Sequence, residues 1–548
     1  MYSFKYLLKK YSYSFYFLFL ISFHISAQNK NEKPKLVVGI VVDQMREEYL
    51  YRYYDKFQDN GFKLLMKEGF MAKNTHYNYV PTKTAPGHAS IYTGTTPRYH
   101  GIISNSWYHR ETKRVMGNVE DESFETVGTL TPKTGKSPYQ LIGTNITDEL
   151  KISSQGKSKV ISISLKDRGA ILPGGHLADG AYWYDHESGH FITSTYYAKE
   201  LPTWVQDYNA LNKPDSLLKL GWETLLPIAS YSESNGDMHS YEKGFPGIKR
   251  PTFPYDFKKL PKEKRYELLT RTPYGNTIVR ELAEAALKNE NMGQSSQTDF
   301  LAISFSSTDA VGHKFGPQSV EIEDVYLRLD NEIAALIHSL DQQVGRKNYT
   351  LFLTADHGGA DTPQYLNETK IPTELSTDVS EKLEAKLLES YGKLQLIESY
   401  KDQQIYLNRD VLLKNNLNLK KISNEIRDYL YTIPGVAQVY TADDLRRLNY
   451  TDKIGSMVQL GYHNTRSGDI AVVYNPISWS GTMEFGTTHG SPYNYDTHVP
   501  LLWFGGTIKK GETVKRLNIT AIAPTLAEVL HIKFPSACIG NPIIELFN

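Results

Sequence analysis

Six short apolar runs constrain the fold of this chain more than any other feature of its sequence. Each run is continuous and rich in β-branched residues, which is typical of strands buried on both faces of a parallel sheet. Apolar residues at three- and four-residue steps predict helices over 276–289 and 320–340. Strands that alternate with helices favour an α/β fold with a central, mostly parallel sheet flanked by helices. The six runs are KLVVGIVVD (35–43), KVISISL (159–165), DFLAISFS (299–306), YTLFLTAD (349–356), DIAVVYN (469–475) and VPLLWFG (499–505).

The length of 548 residues suits either several ordinary domains or one large α/β enzyme with insertions. Two stretches, at about 106–298 and 362–480, lack the rhythm of strand and helix. We interpret them as insertions or cap elements on a single catalytic domain that spans 28–548. The 61 acidic residues balance 61 basic ones, so nothing favours nucleic acid as a specific partner.

The first 27 residues have the pattern of a signal peptide. Lysines precede an apolar run at 11–25, and the small residues Ser26 and Ala27 provide a cleavage site before Gln28. The run is short for a spanning helix, although an uncleaved anchor is the alternative. We therefore expect a periplasmic or secreted protein with no membrane span after cleavage. Its single cysteine, Cys538, excludes an intramolecular disulfide.

Three carboxylates stand at or just after the ends of predicted strands. Asp43 closes the first run, Asp309 follows the third, and Asp356 closes the fourth. Because open α/β sheets bind ligands at the carboxyl ends of their strands, we expect the three to meet at one edge of the sheet. A single Asp at such a position could equally cap the following helix.

Histidines accompany these carboxylates, and together they form a candidate metal site. Imidazole with carboxylate favours zinc and its neighbours, whereas Mg²⁺ or Ca²⁺ would use oxygen ligands without three histidines. Six ligands would serve two ions with three each, which leaves positions open for substrate. Any one histidine alone could be an ordinary surface or hydrogen-bonding residue. The six candidates are Asp43, Asp309, His313, Asp356, His357 and His489.

Four separated motifs, VVGIVVDQM, PTKTAPGHASIYTG, STDAVGHKFGP and TADHGG, resemble in order and spacing those of the alkaline phosphatase superfamily. The resemblance extends from about Lys35 to the end of the chain. Within the superfamily, the chain is similar to the large secreted bacterial alkaline phosphatases of the PafA type. The resemblance implies an alkaline-phosphatase-like core with cap insertions and two Zn²⁺ ions. It further implies that one zinc is held by Asp309, His313 and His489, and the other by Asp43, Asp356 and His357.

The resemblance places a catalytic nucleophile, which also contacts metal, at Thr84 in PTKTAPGH. A threonine hydroxyl is a weak nucleophile and needs a base or a metal to activate it. A helix that begins near Thr84 would direct its first N–H groups at a phosphoryl oxygen, and Pro86 suits the first turn of such a helix. We interpret Thr82 as a capping or turn residue.

Three further residues are predicted to bind the phosphoryl group. In the similar family an asparagine at the position of Asn105 donates to a phosphoryl oxygen. Lys166 and Arg168 would share one face if the strand at 159–165 continued through them. Two cations facing a dianion would stabilise its non-bridging oxygens. Each of the three residues could instead occupy an ordinary turn or a solvated loop.

These features predict a phosphate monoesterase that hydrolyses small phosphate esters through a phosphothreonine intermediate. We expect it to act as a monomer. PTKTAPGH alone resembles the nucleotide pyrophosphatase/phosphodiesterase branch equally well, and KDR after a buried strand favours the monoesterase. A second alternative is a noncatalytic phosphate-binding surface protein, which would gain nothing from two metals and a positioned hydroxyl.

Overall fold

The computed structural model describes residues 33–248, 250–261, 264–373, 378–478, 485–506 and 508–547. The predicted signal peptide, residues 1–27, lies outside these residues. No helix within the described ranges is both long enough and apolar enough to cross a membrane.

Strands occur along nearly the whole described chain, and most are short. They are β1 (Leu36–Val42), β2 (Phe70–Ala72), β3 (Thr75–His76), β4 (Ser106–His109), β5 (Arg114–Gly117), β6 (Glu120–Val127), β7 (Thr134–Lys136), β8 (Val160–Ser164), β9 (Gly180–Tyr184), β10 (Phe191–Ser194), β11 (Asp299–Phe305), β12 (Tyr349–Thr354), β13 (Ile397–Lys401), β14 (Gln404–Leu407), β15 (Val436–Thr441), β16 (Ile470–Tyr474), β17 (His498–Val499), β18 (Leu501–Gly505), β19 (Gly511–Thr513) and β20 (Leu517–Asn518).

The largest sheet in the described residues has the order β19-β2-β18-β12-β1-β11-β8-β9-β10-β6-β7. Its middle strands, from β12 to β9, are parallel, with Leu36 opposite both Asp299 and Tyr349. Antiparallel strands β18 and β10 flank them. Every residue of β1, β11 and β12 is buried, which explains why these runs are continuously apolar. The predicted α/β fold with a mostly parallel central sheet is confirmed.

Helices cover the sheet. Tyr92 packs against Phe300 and Phe352 of the sheet, with ring centroids 5.9 and 6.0 Å away. The α-helices are Tyr49–Arg52, Phe62–Glu68, Thr84–Thr93, Pro97–His100, Ile146–Ser153, Asp167–Gly174, Thr203–Ala210, Lys213–Leu220, Arg265–Leu269, Tyr274–Asn289, Ser307–Phe315, Val320–Gln343, Pro363–Glu368, Val379–Tyr391, Arg409–Lys414, Leu419–Leu430, Ala442–Arg447, Lys453–Gly461, Asn494–Thr497 and Ile522–Leu530.

The two predicted insertions differ in how they join this core. The first, at about 106–298, contributes β8 and β9 to the central sheet. The second, at about 362–480, builds a separate sheet in the order β13-β14-β16-β15. Its apolar side chains, among them Ile405, Ile426 and Val472, form a cluster of their own. The run at 469–475 is therefore a buried strand of the second insertion, and the division into one domain with two insertions stays a prediction.

Candidate active site

The predicted site residues lie at the carboxyl end of the parallel strands. Asp43 follows β1, and Asp356 with His357 follows β12. Asp309 is in the first turn of helix Ser307–Phe315, directly after β11. Lys166 comes two residues after β8. Since β12, β1, β11 and β8 are neighbours, four segments that are distant in sequence deliver charged side chains to one edge of the sheet.

Five of the six predicted metal ligands come together in two overlapping groups. In each group the donor atoms lie within 4.8 Å of one another, and His357 belongs to both. The sixth predicted ligand, His313, lies outside both groups but places Nε2 3.1 Å from Oδ1 of Asp309. The rings of His357 and His489 stack at 3.5 Å, which joins the groups. The groups are Asp309, His357, His489 and Asp43, Asp356, His357.

Hydrogen bonds to backbone carbonyls orient all three imidazoles. Nδ1 lies 2.7 Å from the Thr487 carbonyl in His313, 2.8 Å from the Gly358 carbonyl in His357, and 2.8 Å from the Thr82 carbonyl in His489. A carbonyl can only accept, so Nδ1 carries the proton and Nε2 keeps a free lone pair. Nε2 faces the carboxylates in each case, which is the arrangement of metal-bound histidine.

Three buried donor atoms of the site have no hydrogen-bond partner in the described structure. They are Oδ1 of Asp43, Oδ2 of Asp356 and Nε2 of His357. Buried polar atoms are almost always satisfied, so three such atoms in one group indicate a bound cation. Nε2 of His357 lies 3.4 Å from the Asp43 atom and 3.7 Å from the Asp356 atom. The residues therefore fit a metal ion, and their mixed nitrogen and oxygen donors suit a transition metal.

Electrostatics in the site also favour added positive charge. Burial, together with neighbouring Asp43, raises the pKa of Asp356 well above its usual value. Burial lowers the pKa of His357 to about 4, so its ring is a neutral ligand near neutral pH. Asp309 behaves differently: burial opposes its ionisation, yet His313 and Lys166 hold its pKa well below the usual range. The three buried carboxylates of the site therefore face few positively charged side chains among the described residues.

Thr84 begins the helix Thr84–Thr93 and is buried, at 1% exposure. The side chain of Asn105 caps this helix: its Oδ1 accepts from the N–H of Ala85 at 2.9 Å, and its Nδ2 remains to donate elsewhere. Gly87 allows the helix to approach the metal group, because a Cβ there would stand 2.3 Å from the Asp356 carbonyl oxygen. Thr82 donates to the Ser491 carbonyl at 3.0 Å, as expected of a turn residue.

The predicted shared strand face of Lys166 and Arg168 is wrong. β8 ends at Ser164, and Lys166 instead precedes helix Asp167–Gly174, in which Arg168 is the second residue. A strand cannot continue here because Asp167 already starts the helical turn. Nζ of Lys166 lies 2.6 Å from one oxygen of Asp43 and 2.6 Å from one of Asp309, so it bridges the two groups.

Arg168 has an unpaired donor beside the site. Its Nε is buried and finds no acceptor among the described residues, and its side chain keeps 25% exposure. Its nearest carboxylate, on Asp167, is 3.5 Å from the guanidinium. A guanidinium with a spare N–H can bind an incoming anion.

Gln44 was not predicted and contacts both metal groups. Its Nε2 donates to Asp309 at 2.7 Å, and its backbone N–H donates to Asp356 at 3.1 Å. Its φ of 63° lies in the left-handed region, which is uncommon for glutamine. Only its position directly after Asp43 in the sequence could have suggested this role.

The fold and the site define a class of metal-dependent hydrolase. The model of the family "Type I phosphodiesterase / nucleotide pyrophosphatase" matches residues 37–498. The chain belongs to this family, which is part of the alkaline phosphatase superfamily.

Individual relatives narrow the class. The chain is 43% identical to the alkaline phosphatase PafA of Elizabethkingia meningoseptica, over 96% of this chain and 97% of that one. It is 44% identical to a protein of Myroides odoratus named calcium-transporting ATPase, over 96% of each. The crystal structure of wild-type PafA superposes with a TM-score of 0.90 at 42% identity, covering 94% of this chain and 99% of that one. The prediction of a phosphoric monoester hydrolase is confirmed.

Proposed function

We propose that this protein is an alkaline phosphatase with two zinc ions that hydrolyses small phosphate monoesters through a phosphothreonine intermediate. Asp309, His313 and His489 would hold one zinc. Asp43, Asp356, His357 and the hydroxyl of Thr84 would hold the other. The observation that carries the proposal is the set of buried, unpartnered donor atoms on Asp43, Asp356 and His357, beside the start of the Thr84 helix.

Each residue of the proposed active site has a definite role in this reaction. Oγ of Thr84 attacks phosphorus in line with the leaving oxygen, which departs as the phosphothreonine forms. Water then attacks phosphorus and releases phosphate and Thr84. The zinc ions, when bound, supply Lewis acidity that favours the Thr84 alkoxide and the leaving oxygen. The non-bridging oxygens, where the transition state keeps its charge, are stabilised by Lys166, by Arg168 and by the Nδ2 group of Asn105.

Preference for monoesters rests in this proposal on Lys166 and Arg168. A monoester is a dianion, whereas a diester replaces one charged oxygen with an ester group and gains less from both cations. Removing one charge-assisted hydrogen bond from such a site costs about 2–4 kcal/mol, or about 30- to 1,000-fold in rate.

The test compares kcat/KM for a matched aryl monoester and methyl aryl diester in wild type, Lys166→Ala and Arg168→Ala. We expect wild type to prefer the monoester strongly, and each variant to lose much more monoester than diester turnover. If wild type prefers the diester, or if both substrates lose the same factor, the phosphodiesterase alternative replaces this proposal.

Export and assembly complete the proposal. We propose that residues 1–27 are removed and that the mature enzyme is a periplasmic or secreted monomer. The charged, Lys-led start and the apolar run at 11–25 support export. N-terminal sequencing of native protein should begin near Gln28, and a native chain that begins at Met1 would contradict it.

A further inference from the structure

The second insertion reaches the active site through the tip of one hairpin. Strands β13 and β14 pair up to Lys401 and Gln404, so Asp402 and Gln403 form a two-residue turn. Both have positive φ, 49° and 65°. Such turns match the twist of a hairpin but usually contain Asn or Gly. The tip is therefore held in a costly backbone conformation, and contacts outside the hairpin must help to maintain it.

Asp402 makes those contacts, and both go to the catalytic core. Its Oδ2 accepts a short hydrogen bond from Oγ of Ser104, and its Oδ1 lies 3.4 Å from Nζ of Lys83. The side chains of Asp402 and Lys83 are only 17% and 20% exposed. Burial alone would raise the pKa of Asp402, but Lys83 and Ser104 lower it. The carboxylate is thus charged and held by two partners.

Each partner immediately precedes a residue of the site. Lys83 stands before Thr84, and its carbonyl accepts from the Gly87 N–H at 2.9 Å in the first turn of the helix. Ser104 stands before Asn105, which caps the same helix at Ala85. One carboxylate therefore connects the two backbone segments that place the Thr84 hydroxyl and the Asn105 amide.

The loop that carries His489 adjoins the same contact. A Cβ at Gly490 would lie 3.3 Å from Cε of Lys83 and 3.9 Å from Nε2 of Gln403. The hairpin tip thus touches the surroundings of the nucleophile, the phosphoryl-binding amide and a metal ligand.

We infer that Asp402 is a positioning residue, supplied by the second insertion, that fixes Thr84 and Asn105 relative to each other for binding the phosphoryl group. The inference rests on the proposed function for its substrate. Displacement of reacting groups by about 1 Å can cost on the order of 100-fold in rate. Asp402→Ala should therefore lower monoester kcat/KM by about 10- to 100-fold, mainly through kcat, with metal content unchanged.

The decisive experiment is a double-mutant cycle of Asp402→Ala with Asn105→Ala. If Asp402 acts through Asn105 and the adjacent helix start, its removal should cost less than about 3-fold once Asn105 is absent. Equal losses in both backgrounds would show a general structural effect and overturn the inference. Should Asp402→Ala fail to fold, Asp402→Asn, which keeps an acceptor for Ser104 but not the charge for Lys83, is used in the same cycle.

Asp410→Asn is the matched control. Asp410 also joins the second insertion to the first, through an ion pair with Lys113 at 2.6 Å, but it is exposed and, among the residues that the structure describes, pairs with none beside the site. Its variant should keep wild-type kcat/KM, and a loss equal to that of Asp402→Ala would overturn the inference.

The failure of the proposed function gives a different result. If wild type hydrolyses only the diester, the monoesterase proposal fails, and the same cycle on the diester still decides the role of Asp402. If wild type hydrolyses neither, orthophosphate affinity is measured by calorimetry on the same proteins. Weaker binding in Asp402→Ala that disappears in the Asn105→Ala background supports the inference, and equal weakening in both backgrounds overturns it.

Discussion

Single atoms decide what the three histidines of the site can do. In each, the Nδ1–H group donates a hydrogen bond to a backbone carbonyl, so Nε2 has a lone pair that can bind a metal. An imidazole on the protein surface would not have its orientation and its protonated nitrogen fixed in this way. The chemistry of the site therefore depends on how individual side chains are oriented.

Replacing Thr84 with Ala should remove the nucleophile while leaving the fold intact. We expect kcat/KM for a monoester to fall by about 1,000-fold or more, with unchanged metal content and thermal stability. Thr82→Ala is the control, because within the described part of the chain that hydroxyl donates to the Ser491 carbonyl and not to a residue of the site. It should cost about 1 kcal/mol of stability and less than about 10-fold in activity. Phosphate trapped on Thr82, or a fully active Thr84→Ala, would reverse the assignment.

Metal removal should abolish activity. The proposed ligands include three imidazoles, so we expect about two zinc ions per chain, loss of turnover with chelator and recovery with zinc. Elemental analysis of the active protein checks the count. Active protein that holds only magnesium or calcium would refute the zinc assignment.

Sequence alone could place most of these residues but not all their contacts. Asp43, Asp309 and Asp356 were found because strand ends are visible in the hydrophobic pattern. Gln44 was missed, since nothing in a single glutamine indicates that its side chain and its backbone N–H reach two different carboxylates. Such a contact exists only after distant strands have paired.

At the scale of elements, the helix Thr84–Thr93 carries the proposed nucleophilic hydroxyl and lies directly against a strand end. Its close approach depends on the absence of a side chain at Gly87. Every residue of this helix is buried, so it has little freedom to shift. Precise placement of the hydroxyl is thus a property of how the helix packs.

Gly87→Ala should test that packing. A Cβ would meet the Asp356 carbonyl oxygen at 2.3 Å, so the helix must move away from the metal group. We expect activity to fall by about 100-fold and the melting temperature to fall with it. Gly117→Ala is the control, because the nearest atom to its Cβ would be 3.7 Å away. Unchanged kinetics in Gly87→Ala would show that the helix position is not critical.

Elements were predicted well where hydrophobic pattern determines them. Helices predicted at 276–289 and 320–340 are observed at Tyr274–Asn289 and Val320–Gln343. The end of β8 was misplaced, because the apolar pattern does not reveal that Asp167 begins a helix. The sheet to which a strand belongs was equally hidden, as the buried run at β16 shows.

At the scale of the whole molecule, several histidine side chains are neutral in the folded protein. Burial lowers the pKa of His100 to about 3, with Arg466 adding to the effect. The Ile102 N–H donates to its Nδ1 at 3.1 Å, which leaves no place for a second proton. Burial likewise lowers the pKa of His76 to about 3 and that of His463 to about 4. Acid therefore favours the unfolded chain, whose histidines can take up protons.

The free energy of unfolding should fall as the pH drops from about 6.5 toward about 3. In this window the unfolded His100 binds a proton and the folded one does not, so stability rises with pH. Denaturant unfolding of wild type and His100→Gln at several pH values checks this. The variant should lose part of the pH dependence, whereas the exposed His338→Gln should keep all of it. Parallel pH profiles for wild type and His100→Gln would contradict the prediction.

The central position of β1 has a consequence for how the protein is made. Its two neighbours, β11 and β12, come from much later in the chain, and His489 follows later still. During synthesis the apolar strand β1 therefore remains unpaired until most of the chain has emerged. Pairing over such distances is slow, and an exposed apolar strand invites aggregation meanwhile. The nascent chain should thus depend on chaperones until the segment that carries His489 has been synthesised and has joined the fold.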